Sequence, residues 1–326
     1  MKKLICIFMM LGMLAFFGCS GSGSDGTQSA EEEGIKWDIL ATPVSANGHV
    51  IEAPLVDFLP DGRMVIADGN SATEIEIAIE TASGSKTFNY ITSIIPETSN
   101  SFASFVKTVD SDTIIIGAST HIYRVELATG NKTIIAETGN FDAVISDGKL
   151  YFTRTNYNPD WSASTFVSSI TLNNPGDITD IIKDIPGASA GVCLDDSGNI
   201  YTGNGYSNSG IPNETGLIRR FALSGLPQVW SSGEDIAKIL SATPLLYAGN
   251  DIILTGGGDL FGTGDANYFA AVDASTGDVV FKLDPDSSAD SYYRLSAGNG
   301  RFAASIWDYT SSAGSLYLIP FEALGL

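Results

Sequence analysis

Apolar residues in this chain fall in short runs, each closed by a cluster of turn-forming residues and answered by a second apolar run. The clearest case is residues 192–206, where Val-Cys-Leu and Ile-Tyr-Thr flank Asp196-Ser197-Gly198-Asn199. Asp and Asn bond their own backbone and tolerate the left-handed region, and Gly enters it without steric cost, so the pattern predicts a β-hairpin. Equivalent hairpins are predicted at 55–67, 105–117, 143–153, 245–255 and 293–304, around turns at Asp61-Gly62, Ser111-Asp112, Asp147-Gly148, Asn250-Asp251 and Asn299-Gly300. The turns are spaced about 36 to 52 residues apart, the period of a four-stranded β-propeller blade.

A second hairpin follows each of these. It is strongest at 123–135 and 269–283 and weaker at 74–90, 169–182 and 217–230. Four strands per repeat with turn chemistry at both hairpins predict an all-β fold: a six-bladed propeller of antiparallel blades spanning 35–326. The sixth repeat stops after its third strand. The unassigned stretch Ile35-Lys36-Trp37-Asp38-Ile39-Leu40 reads as the missing outer strand, so the ring is expected to close through its N-terminus and leave no open edge.

Residues 1–18 stand apart. Lys2 and Lys3 precede an apolar run too short to span a bilayer comfortably, which reads as a secretory signal. Gly18-Cys19 resembles the end of a bacterial lipobox, and this implies lipidation of Cys19, by palmitate among other acyl chains, and a membrane anchor. Residues 19–34 are rich in Gly, Ser and Glu, and read as a flexible tether. The expected location is therefore the bacterial cell envelope, with Ser20 favouring the outer membrane or the periplasmic face. Cys193, in an apolar run, is expected to be a buried inert thiol, and no internal disulfide can form in the folded part.

Charge narrows the partners. The chain has 38 acidic and 17 basic residues, and loss of Lys2 and Lys3 with the leader takes the net charge from −21 to −23. Nucleic acid and anionic lipid surfaces are excluded as partners, while neutral or cationic ligands and Ca²⁺ fit.

In a propeller, the connections between second and third strands emerge on one face. Here 155–168 carries Asn156, Tyr157, Asp160 and Trp161, and 203–216 carries Asn204 and Tyr206. Residues 256–267 carry Phe261, with Tyr268 adjoining, and the sixth repeat carries Trp307 and Tyr309. Aromatic faces beside amides and carboxylates suit a glycan or small organic nutrient. The competing reading has these aromatics simply pinning long loops to the rim. Asp259 and Asp265 sit among glycines that expose backbone carbonyls, which suits Ca²⁺, although no complete ligand spacing is present.

No catalytic set emerges. Gly187-Ala188-Ser189-Ala190-Gly191 matches Gly-x-Ser-x-Gly but runs straight into a strand where a nucleophile elbow needs a helix, so it reads as turn chemistry. His121 is expected at a strand edge. His49, in the connection after Ala46-Asn47-Gly48, is expected to face the central channel without a partner.

The hairpin chemistry, typified by Leu194-Asp-Asp-Ser-Gly-Asn-Ile-Tyr201, resembles that of six-bladed propellers of the NHL and gluconolactonase-like kind. The resemblance implies an architecture over 35–326, and for the gluconolactonase-like members a divalent ion in the central channel; it assigns none of that ion's ligands here. Three functions stay open: a ligand-binding envelope lipoprotein, which the lack of a catalytic set favours over an enzyme; a protein–protein scaffold for envelope assembly; and a Ca²⁺-dependent lactonase-like hydrolase.

Overall fold

In the computed structural model the described residues are 38–40, 42–69, 74–96, 103–157, 162–188, 190–203, 217–238, 244–257, 268–283, 291–308 and 313–325. They form six mostly antiparallel sheets, and two short 3-10 turns, Trp230–Ser232 and Phe321–Leu324, are the helical segments among them. All six predicted inner hairpins form, each supplying the first and second strands of a blade.

The second strands show why the run pattern was apolar on both faces. Met64–Asp68 and Thr113–Ala118 are buried along their whole length, because neighbouring blades cover both sides of them. Strands buried on both faces lose the period-two alternation. Outermost strands such as Lys132–Glu137 are mainly exposed.

Apolar side chains of consecutive blades interdigitate all round the ring. Leu55 and Ile77 of the first blade pack with Val106 and Ile116 of the second. Phe105 and Ile122 meet Leu150 and Phe152 of the third, whose Val167 and Ile182 meet Val192 and Phe221 of the fourth. Tyr201 and Ile218 pack with Leu245 and Ile253 of the fifth. The rings of Phe269 and Phe302 join fifth to sixth with centroids 5.3 Å apart, and Ala303 and Leu316 return to Val56 and Ile66 of the first. The ring closes as the sequence predicts: Asp38–Leu40 pairs antiparallel with Ala313–Pro320, in the register Asp38↔Leu318 to Leu40↔Leu316.

Two expectations change. In the fourth blade the weak second hairpin at 217–230 does not form. The partner of Leu217–Phe221 is Glu234–Lys238, which brings Glu234 and Asp235 to Arg220 and Arg219. Gln228–Val229 instead lies parallel beside Thr179–Pro186 at the edge of the third blade. An uncompensated pair of arginines on an outer strand finds its carboxylates only in the later segment. Secondly, Val44–Ala46 and His49–Ile51 form a small hairpin on the outside of the first blade, with Ala46 opposite Phe88 of the blade's fourth strand.

Candidate functional site

The connection predicted as a long loop in the third blade is mostly a stiff hairpin. Lys149–Tyr157 and Ala163–Thr171 are nine residues each and stay paired as far as Asn156↔Ser164 and Tyr157↔Ala163. The run Thr153-Arg-Thr-Asn-Tyr facing Ser-Thr-Phe-Val is good strand sequence, rich in β-branched and aromatic residues. Thr165 anchors the arm at its base through a hydroxyl bond to the Gly187 carbonyl (2.9 Å). Arg154 holds Asp180 at 2.8 Å, and Ser168 donates to the same carboxylate at 2.7 Å. Burial pushes the Asp180 carboxyl up, but these bonds and the Arg154 charge outweigh it and hold it below the usual range. Asn156 and Tyr157 thus stand on a braced strand near the tip, Tyr157 with 53 % of its surface exposed.

The remaining predicted site residues divide in two. Trp307, expected in a loop, and Tyr268, expected to adjoin one, lie on paired strands, opposite Gly314 and Gly257. Both positions continue a second–third hairpin. Asp160, Trp161, Asn204, Tyr206, Asp259, Phe261, Asp265, Tyr309 and the lipidation candidate Cys19 lie outside the described residues. The strand ends at Tyr157, Thr202, Gly257 and Asp308 all mark the same connection in successive antiparallel blades, so they share one rim of the ring.

At that end of the channel the sequence reading missed Arg294. It sits on Ser291–Gly298, the inner strand of the sixth blade, and is only 5 % exposed. Its Nε donates to the Ser104 carbonyl of the second blade and its Nη2 to the Phe141 carbonyl beside the third, both at 2.7 Å. The guanidinium also stands 4.3 Å from the centre of the Phe141 ring.

The carboxylates near the inner strands are tied to the fold. Asp57 accepts from the Thr108 amide and the Ser296 hydroxyl, both at 2.6 Å, linking the first blade to the second and sixth. Asp142 accepts from the amides of Ala143 and of Val192 in the fourth blade. Asp68 accepts from the amides of Glu52 and Ala53. No group of three His, Cys, Asp or Glu suited to a metal ion occurs among the described residues. The carboxylates of the inner strands described are each engaged by protein donors; Asp259 and Asp265 are not among the residues described.

His49 does not face the channel. It stands at the outer edge of the first blade, stacked on Tyr90 with centroids 3.6 Å apart and planes at 4°, and its Nδ1 lies 2.8 Å from Glu76 Oε1. The two-strand extension at 44–51 carries it outward, which no turn signal distinguished from a blade connection. His121 opens the strand His121–Glu126, at a strand edge as expected. Cys193 is buried, and burial, with the nearby Asp142 and Asp195 carboxylates, raises its thiol pKa well above the ordinary value. The Gly-x-Ser-x-Gly stretch leads directly into the strand Val192–Leu194, the context of a turn.

On the opposite end, the turns of the third and fourth inner hairpins enclose a cleft of about 390 Å³ with Val144, Leu194 and Leu223 on its floor and Asp147, Asp195 and Asp196 around it. Asp195 spends its carboxylate within its own turn, on the amides of Ser197 and Asn199, the Asn199 side chain and the Tyr201 hydroxyl.

Fold and channel define a six-bladed β-propeller with an N-terminal closing strand. No family model matches the chain, and no curated protein matches it. Among solved structures, it is similar to a calcium-binding regucalcin from Agrobacterium tumefaciens str. C58, with 12 % identity, a TM-score of 0.58, and coverage of 82 % of this chain and 90 % of that one. It is also similar to a chain of a nidogen/laminin complex, with 12 % identity, a TM-score of 0.55, and coverage of 78 % and 92 %. A TolB from Acinetobacter baumannii matches at 13 % identity and a TM-score of 0.47, over 82 % of this chain and 63 % of that one. At such identities the likeness is one of fold.

Proposed function

We propose that this chain is a lipid-anchored protein of the bacterial cell envelope whose propeller binds a neutral, polyhydroxylated or small organic ligand on the rim formed by 155–168, 203–216 and 256–267. The observation that carries the reading is the third-blade arm: a braced hairpin of two nine-residue strands that holds Asn156 and an exposed Tyr157 at the rim. An aromatic ring on a rigid strand costs little entropy to present and offers a face for stacking on a sugar ring or heteroaromatic. The net charge of −21 disfavours anionic ligands at long range. Screening the purified chain against a glycan and nutrient-metabolite panel by thermal shift tests the reading, with Tyr157→Ala as the control that should lose the shift but keep the melting temperature.

A scaffold role draws on a different observation. The outermost strands carry exposed apolar residues, Ile39, Ile134, Val229, Val279 and Val280 among them, on edges able to receive a partner's strand. Crosslinking that returns a stable protein partner would favour this role over ligand binding. The hydrolase alternative is a Ca²⁺-dependent lactonase-like enzyme acting through the central channel, with Asp259 and Asp265 as separate candidate Ca²⁺ ligands. Similarity to a calcium-binding regucalcin supports only that a propeller of this shape can bind calcium. Metal analysis of the pure protein, together with a lactone turnover assay, tests it.

A further inference from the structure

We propose that the Arg294 guanidinium is the resident cation of the central channel, standing among the inner strands where a channel metal would otherwise be held. The topology requires this placement. Blades follow one another round the ring, so the sixth and third stand opposite each other and the sixth and second are separated by the first. One side chain on the sixth blade that donates to carbonyls of the second blade and beside the third must cross the axis.

The chemistry agrees. Carbonyl oxygens on inner strand edges, together with carboxylates, are what a Ca²⁺ site would use. Here Ser104 O and Phe141 O are taken by N–H donors, and Asp57, Asp68 and Asp142 are taken by amides and a hydroxyl. A guanidinium keeps its charge at every working pH, and its planar fork reaches two carbonyls while stacking on the Phe141 ring. The blades therefore need no channel metal to hold them together. The inference is independent of what the rim binds.

The test uses the full chain. Thermal melts are run in EDTA and in CaCl₂ on the wild type, the Asp259→Asn/Asp265→Asn double variant, Arg294→Met and Arg294→Lys. The double variant is expected to melt at one temperature in both media, which removes any contribution from the fifth-blade carboxylates. Arg294→Met should melt about 5 °C or more below wild type, since two charge-assisted bonds are lost. Arg294→Lys should recover less than half of that, because an ammonium cannot fork and stack together. If Arg294→Met does not accumulate folded, the lysine variant and the double variant still decide. The proposal is overturned if CaCl₂ raises the melting temperature of the double variant, or if either Arg294 variant melts with wild type.

Discussion

Arg301→Ala should be among the most damaging single changes in this propeller, and its cost should depend on pH in an unusual direction. Glu80 is completely buried in the first blade, where it accepts from the Met64 amide at 3.0 Å, the Lys86 amide at 2.9 Å, and Arg301 Nη1 of the sixth blade at 2.9 Å. Arg301 also donates to the Gly62 carbonyl and lies over the Phe58 ring, 5.2 Å from its centre. Burial pushes the Glu80 carboxyl up, but the bonds from Arg301, Lys86 and Met64 outweigh it, so the group sits below 4.5. Its charge therefore stabilises the wild type above the unfolded-state pKa, and that contribution is lost as pH falls through the folded value. Without Arg301 a buried carboxylate keeps two amide donors and no countercharge, at a cost of about 3–5 kcal/mol at neutral pH. Burial then dominates, the folded pKa rises above the unfolded one, and the sign reverses: the variant loses stability as pH rises through that window. With a urea slope of about 3 kcal/mol/M, the midpoint should drop by about 1–1.7 M at pH 7. The gap should narrow below about pH 4.5, where an unpaired Glu80 can take up a proton. Urea melts of both proteins at the two pH values measure this. An equal midpoint shift at both would refute the reasoning.

Three other outcomes follow from the same packing and from the N-terminal segment. Cys193 should resist Ellman's reagent in the native protein and react only on global unfolding, as its burial and raised thiol pKa require. Gly277→Ala should cost about 2–4 kcal/mol in a denaturant melt, because Gly277 has φ +79° and a Cβ there would run into the Ile236 carbonyl of the fourth blade. Radiolabelled palmitate should be incorporated by cells expressing the full chain and not by those expressing Cys19→Ala; equal labelling would end the lipid-anchor reading.

The ring was legible in the sequence because each inner hairpin carries its own turn chemistry. Asp147-Gly148, Asn250 and Asn299-Gly300 all adopt positive φ, which is why Asn, Asp and Gly stand there. Closure by Asp38–Leu40 was legible by elimination, as one strand was missing and one apolar segment was spare. What failed was local. The fourth strand of blade four falls later than the sequence suggests because Gln228–Val229 pairs with the third blade, while Glu234–Lys238 sets its carboxylates beside Arg219 and Arg220. His49 was misdirected because a two-strand extension outside a blade has the same turn signal, Asn47-Gly48, as a blade hairpin. In the candidate site, the strand that carries Tyr157 was read as loop, since Asn156 and Tyr157 give no apolar signal once an arm leaves the core. Arg294 was missed for a different reason: its partners are backbone carbonyls from two other blades, which no sequence spacing encodes.

The central claim is that the rim carrying Tyr157 and the neighbouring connections binds ligand. Its most direct measurement is binding of the full chain to an immobilised glycan panel, compared with a Trp161→Ala/Tyr206→Ala/Phe261→Ala variant of matched melting temperature. Glycans retained by the wild type should be lost by the variant. Retention of the same glycans with unchanged affinity by the variant would contradict the claim.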